Sequence, residues 1–160
     1  MPEYQGYTQN AWKGNKYEKT SDLPLKEIAK RIKAEAIAKY GNKIKLSVKT
    51  DHFANGCSID ATITGYQGES IYNDVYLEYK ASGQKVMFDR WLSDNFSRLG
   101  IMPYDKHAKQ RYTDELHEII DGIEAIGNKY RRSDCDAMID YFDVSFYWGV
   151  GVDYKLERQF

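Results

Sequence analysis

Apolar residues recur at helical spacing from Pro24 to Tyr40: Leu25, Ile28, Ala29, Ile32 and Ala36, with Ile37 beside them. A helix with such a stripe must bury it against something. The next two segments of the chain supply a ready cover. In KIKLSVK, Ile44, Leu46 and Val48 alternate with Lys45, Ser47 and Lys49, the period of a half-buried strand. In SIDATIT, Ile59, Ala61 and Ile63 alternate with Ser58, Asp60, Thr62 and Thr64. Between them Asp51 to Gly56 has turn chemistry, with Asn55-Gly56 suited to positive φ. Ser21 and Asp22 offer cap oxygens and Pro24 suits a first turn. Gly41 comes just after the last periodic residue as a natural stop.

The remaining elements complete the same core. Residues 72–80 (YNDVYLEYK) fit a strand or a short helix, and Lys85 to Ser97 reads as a short helix. Leu99 to Lys106 is a loop around Gly100 and Pro103. A second long helix starts near Thr113, with Leu116, Ile119, Ile120, Ile123 and Ile126 as its stripe and Gly122 and Gly127 weakening it. Ser133 opens a short helix or turn, SDCDAMIDYFD. Val144, Phe146, Trp148, Val150 and Val152 then alternate as a closing strand. The expectation is an α+β fold in the order α-β-β-(β/α)-α-β: a small, mainly antiparallel sheet with helices packed on one face. Residues 1–20 carry no period and read as an extended arm, leaving 21–160 as a single domain.

Charge is unevenly placed. Lys26 to Lys49 holds eight basic residues against Glu27 and Glu35, a local balance of +6. The first 25 residues balance at zero, and the last 111 carry −7. Lys26, Lys30 and Lys33 on the helix, with Lys45 and Lys49 on the strand, form a candidate basic surface for phosphates or an acidic protein patch. A plain solvated face is the alternative. The acidic candidates are Asp134, Asp136 and Asp140, with Asp136 and Asp140 four apart on an expected helical turn. They suit an acidic docking surface, a Mg²⁺ site or plain solvent.

Catalytic signatures are missing from the sequence. His52, His107 and His117 lack a zinc-helix partner, and Cys57 and Cys135 form no zinc or disulfide pattern. A Cys57–His52 nucleophile would require the two to converge across the turn. No phosphate-binding glycine loop and no nucleophile elbow is present. No cofactor and no metal is expected. Residues 1–14 lack the apolar core of a secretory signal, and no apolar run reaches membrane-spanning length. With two thiols, these features point to a cytoplasmic protein. Fourteen tyrosines supply rings that can serve both core and partner contacts.

Two stretches carry a family resemblance. SDLPLKEIAKRIKAEAIAKYGNKIKLSVKTDHFANGCSIDATI and SDCDAMIDYFDVSFYWGVGV, about 65 of 160 residues together, resemble the large polyvalent protein-associated domain 29 of phages and mobile elements. The shared pattern is an isoleucine-basic helix, a K-x-S-V strand, a small-polar turn and an S-I-D strand. The chain departs at Lys39-Tyr40-Gly41-Asn42, where the family tends to have Phe-Pro-Gly. The resemblance implies a context of protecting an incoming genome from host defence. It implies a small, non-enzymatic anti-defence protein, similar to anti-CRISPR inhibitors. Its partner would be a host defence protein or ribonucleoprotein, a CRISPR-Cas-type nuclease or its nucleic-acid channel. The alternative is a nucleic-acid-binding accessory protein using the Lys26–Lys49 surface. The resemblance carries no catalytic residue.

Overall fold

The computed structural model describes residues 6–102 and 110–160. In order, the elements are β1 (Trp12–Lys13), α1 (Tyr17–Thr20), α2 (Leu25–Tyr40), β2 (Ile44–Phe53), β3 (Gly56–Tyr66), α3 (Asp74–Ala81), α4 (Phe88–Leu99) and α5 (Asp114–Asn128). They continue with β4 (Arg132–Asp136), a single 3-10 turn over Ala137–Ile139, β5 (Tyr141–Val144), β6 (Tyr147–Val152) and α6 (Tyr154–Glu157). The fold is α+β. The chain divides into two compact units, Met1–Gln67 with Ile119–Gln159, and Gly68–Glu118 with Phe160. Among the described residues, no helix is long and apolar enough to cross a membrane.

The first unit is built on the helix and hairpin that the sequence pattern foretells. Helix α2 lays Ile28, Ala29, Ile32 and Ala36 on β2 and β3, and all four are buried. Ile44 and Leu46 of β2 and Ile59, Ala61 and Ile63 of β3 meet them. Each isoleucine or leucine side chain so buried contributes about 1.5–3 kcal/mol, and each alanine methyl less. The sheet order is β2-β3-β6, with β2 antiparallel and β6 parallel to the central β3. Strand β2 runs on to Phe53, through residues expected in the turn, which narrows to Ala54 and Asn55. At the helix ends the expectation also fails in detail. Pro24 is the N-cap residue without a side-chain cap, so Ser21 and Asp22 do not serve there. Gly41 keeps a right-handed conformation, its N–H donating to the Ile37 carbonyl.

A second sheet departs from the expected single one. It has the order β1-β4-β5, antiparallel throughout. Residues 133–143, expected as a short helix or turn, form a hairpin here, because the short turn of 137–139 folds β5 back on β4. The single closing strand expected from Val144 to Val152 is two strands in two sheets. The break falls at Ser145–Phe146. The Arg132 N–H donates to the Ser145 hydroxyl at 2.9 Å, the Ser145 N–H donates to the Arg132 carbonyl at 3.0 Å, and Phe146 is buried. Of the expected arm, residues 1–5 lie outside the described residues, and residues 6–20 are not simply extended, since β1 pairs with β4 and α1 comes after it.

Gly122 and Gly127 of α5 have a packing reason. A side chain at Gly122 would collide with the Tyr40 hydroxyl, and one at Gly127 with the Trp148 indole. The Trp148 Nε1–H donates to the Glu124 carbonyl at 3.1 Å. The low helix propensity of glycine is offset by this close approach of β6.

The second unit resolves residues 72–80 in favour of a helix. Asn73 caps α3 by accepting from the Tyr76 N–H at 2.8 Å, and its own amide donates to the Gln110 and Tyr112 carbonyls. Helix α4 ends at Gly100, which is left-handed with φ 68°. Tyr72, Tyr76, Tyr79, Phe88 and Trp91 pack ring against ring at 4.6–6.3 Å between centroids. Tyrosine therefore serves as core here, with Ile71, Leu92 and Leu116 fully buried beside it. The expected loop reaches Pro103–Lys106, outside the described residues, as does His107.

Candidate docking groove

Packing α2 on β2 turns the helix's polar flank towards the strand's free side. The result is a groove of about 460 Å³ lined by Lys26, Ala29, Lys30 and Lys33 of α2 and by Val48, Lys49 and Thr50 of β2. Four of the five candidate lysines thus converge on one recess. Lys26, Lys30 and Lys49 are exposed and Lys33 is half-buried. Among the described residues none of the four is in an ion pair. Lys45 is the exception to the convergence. Its stem lies against Gly65, and with Lys43 it lines a separate recess of about 430 Å³ near the start of β2. The helix spacing of Lys26, Lys30 and Lys33 is legible in the sequence. The addition of Lys49 and the loss of Lys45 come from tertiary packing.

The acidic candidates do not all lie on the surface. Asp134 is buried and its carboxylate accepts from the Tyr7 N–H at 2.6 Å, the Thr8 N–H at 2.9 Å and the Thr8 hydroxyl at 2.6 Å. It is an anchor for the chain before β1. The Thr8 hydroxyl, opposed by burial and helped by the two amides, holds this carboxyl below its ordinary range. Asp136 accepts from the Met138 N–H at the start of the 3-10 turn. Asp140 ends that turn in a left-handed conformation, φ 53°. The helical face they were expected to share does not exist. Among the described residues no cluster of His, Cys, Asp or Glu is arranged to hold a metal ion.

The hairpin register sets His52 opposite Cys57. The thiol nonetheless donates to the Ser145 carbonyl at 3.6 Å. A nucleophile needs its base within hydrogen-bond reach, and the Cys57 thiol is engaged elsewhere.

One polar cluster has no signature in the sequence. Glu35, on α2, accepts from Lys16, from the Tyr130 hydroxyl and, at 3.5 Å, from Lys129. Burial pushes the Glu35 carboxyl up, but Lys16, Tyr130 and Lys129 outweigh it and leave it below its ordinary value. Lys16 is raised in turn, chiefly by its bond to Glu35. Burial and the same carboxylate raise Tyr130. The cluster pairs Glu35 away from the groove lysines, and the other carboxylate of α2, Glu27, lies 3.7 Å from Arg31. No family model, no curated protein and no solved structure matches the chain.

Proposed function

We propose that this protein is a non-enzymatic anti-defence inhibitor of a phage or mobile element. It works by binding a host defence protein of the CRISPR-Cas nuclease type in the host bacterial cytoplasm. The observation that carries the reading is the convergence of Lys26, Lys30, Lys33 and Lys49 on one groove without internal ion-pair partners. Unpaired ammonium groups held beside a rigid strand are a standing field for an acidic partner. The resemblance to domain 29 supplies the biological setting. The groove's sign narrows the target. A nucleic-acid channel is itself positive and would repel these lysines, so the partner surface is an acidic one outside the channel. The test is capture of a purified defence nuclease by the full chain, with phage plating as the cellular readout. Wild-type protein binds and rescues plating, and the double change Lys30→Glu with Lys33→Glu does neither. Absence of both effects in the wild type rejects the proposal.

The alternative is a nucleic-acid-binding accessory protein of a mobile element. The same four lysines favour it, because each can neutralise a phosphate. Four phosphate contacts on duplex DNA give a slope of log K against log salt of about −3.6. Among the described residues no aromatic ring lines the groove, so these residues offer no stacking platform for single strands. A gel shift at low salt that is absent from Lys30→Glu with Lys33→Glu would support this reading, and no shift would end it.

A further inference from the structure

Three consecutive residues of β2, namely Val48, Lys49 and Thr50, line the groove. Successive strand side chains point to opposite faces. A recess touched by all three therefore runs along the edge of the strand and not across one of its faces. That edge is open. The sheet order β2-β3-β6 leaves β2 outermost, and among the described residues its strand partner is β3 alone. An edge strand directs the N–H and C=O of alternate residues outward, ready for another strand. The groove is thus walled on one side by unpaired ladder groups and on the other by helix lysines.

The spacing of those lysines fits an extended chain. Lys26 and Lys30 are one turn apart, about 6 Å along the axis. Alternate residues of a strand are about 6.8 Å apart. An acidic residue at every second position of an added strand would meet Lys26 and Lys30 of α2, whereas Lys33, about 4.5 Å beyond Lys30, falls off that spacing. Two lysines of β2 disfavour one other occupant. A second copy paired through β2 in a register that opposes Lys45 and Lys49 to their counterparts would set like charges across the pair, which destabilises it. A duplex gains nothing from the ladder groups, and a single nucleic-acid strand finds no ring to stack on.

We infer that the partner contributes an extended acidic segment, which adds to β2 as a fourth strand and seats alternating carboxylates on Lys26 and Lys30, with Lys33 adding to the positive wall. The inference rests on the proposed docking function and names the form its partner takes. Backbone pairing supplies affinity and the lysine wall supplies selectivity.

The test uses the full chain and a short peptide of alternating glutamate and threonine. Its controls are the lysine-for-glutamate counterpart and two versions of the acidic peptide N-methylated on alternate residues, one for each edge. The expected result is binding of the acidic peptide and none of the lysine peptide. One methylated version loses about tenfold in affinity, the equivalent of one to two hydrogen bonds. Amide exchange slows at alternate positions of β2, and Lys30→Glu with Lys33→Glu abolishes binding. Failure of the acidic peptide to bind overturns the inference. So does equal affinity of both methylated versions, which would mean charge attraction without a ladder. Tighter binding of a duplex oligonucleotide at the same salt, perturbing the same amides, overturns it in favour of nucleic acid. Capture of the defence nuclease with unchanged β2 amide exchange rejects strand addition alone. Loss of that capture rejects the docking function itself.

Discussion

Ile32 has no solvent exposure and sits where α2 meets the sheet. Truncation to Ala leaves a cavity that two rigid elements cannot close. Ile32→Ala should cost about 2–5 kcal/mol, read from the denaturant midpoint. Glu35 shows how a single carboxylate responds to pH. Its folded value is depressed, so its contribution is complete above the ordinary value of 4.5 and fades as pH falls through the folded value. Lys16 is raised, so its share is complete below 10.5 and fades as pH rises through its folded value. Glu35→Gln should cost about 1 kcal/mol near neutrality, modest because the group is part-exposed. The gap between wild type and variant should close at both the acid and the alkaline ends of an unfolding series. The Glu35 cluster leaves no trace in the sequence, because Lys16, Glu35 and Tyr130 are far apart in the chain and share no periodicity.

At the scale of elements, close approach and anchoring matter more than propensity. Gly127 of α5 faces the Trp148 indole of β6 with no room for a methyl group. Gly127→Ala improves helix propensity yet should destabilise by about 1–3 kcal/mol, because overpacking displaces the ring. A shift in tryptophan emission would accompany the loss. An unchanged or raised midpoint would show that the two elements part at no cost. The second sheet depends on Asp134 in another way. Its carboxylate holds the amides of Tyr7 and Thr8, which position the chain entering β1. Asp134→Ala should speed amide exchange at those two residues and at Trp12 while leaving α2 unaffected. Helix α2, β2 and β3 are legible because each shows its buried face as a local period. The β4–β5 hairpin is not, because its residues alternate poorly and its turn carries a charged cap that also suits a helix.

Across the whole molecule, the uneven charge becomes a surface only where packing allows it. Lys30→Glu with Lys33→Glu changes exposed or half-buried groups without ion-pair partners. Stability should move by no more than about 0.5 kcal/mol, while salt-dependent association with an acidic partner falls at least about tenfold. Equal loss of folding and binding would place those lysines in the structure's support instead. By itself the sequence determined the helix of residues 25–40, the hairpin beneath it and the row of lysines on its flank. Those features arise from rotation per residue, and neighbouring residues suffice to express it. Tertiary structure alone decided that Lys49 borders the groove and that Lys45 lines another recess. It also decided that Asp134 is buried and that one apparent strand serves two sheets. Such outcomes depend on which distant segments meet, and burial assigns each side chain its role only after they have met.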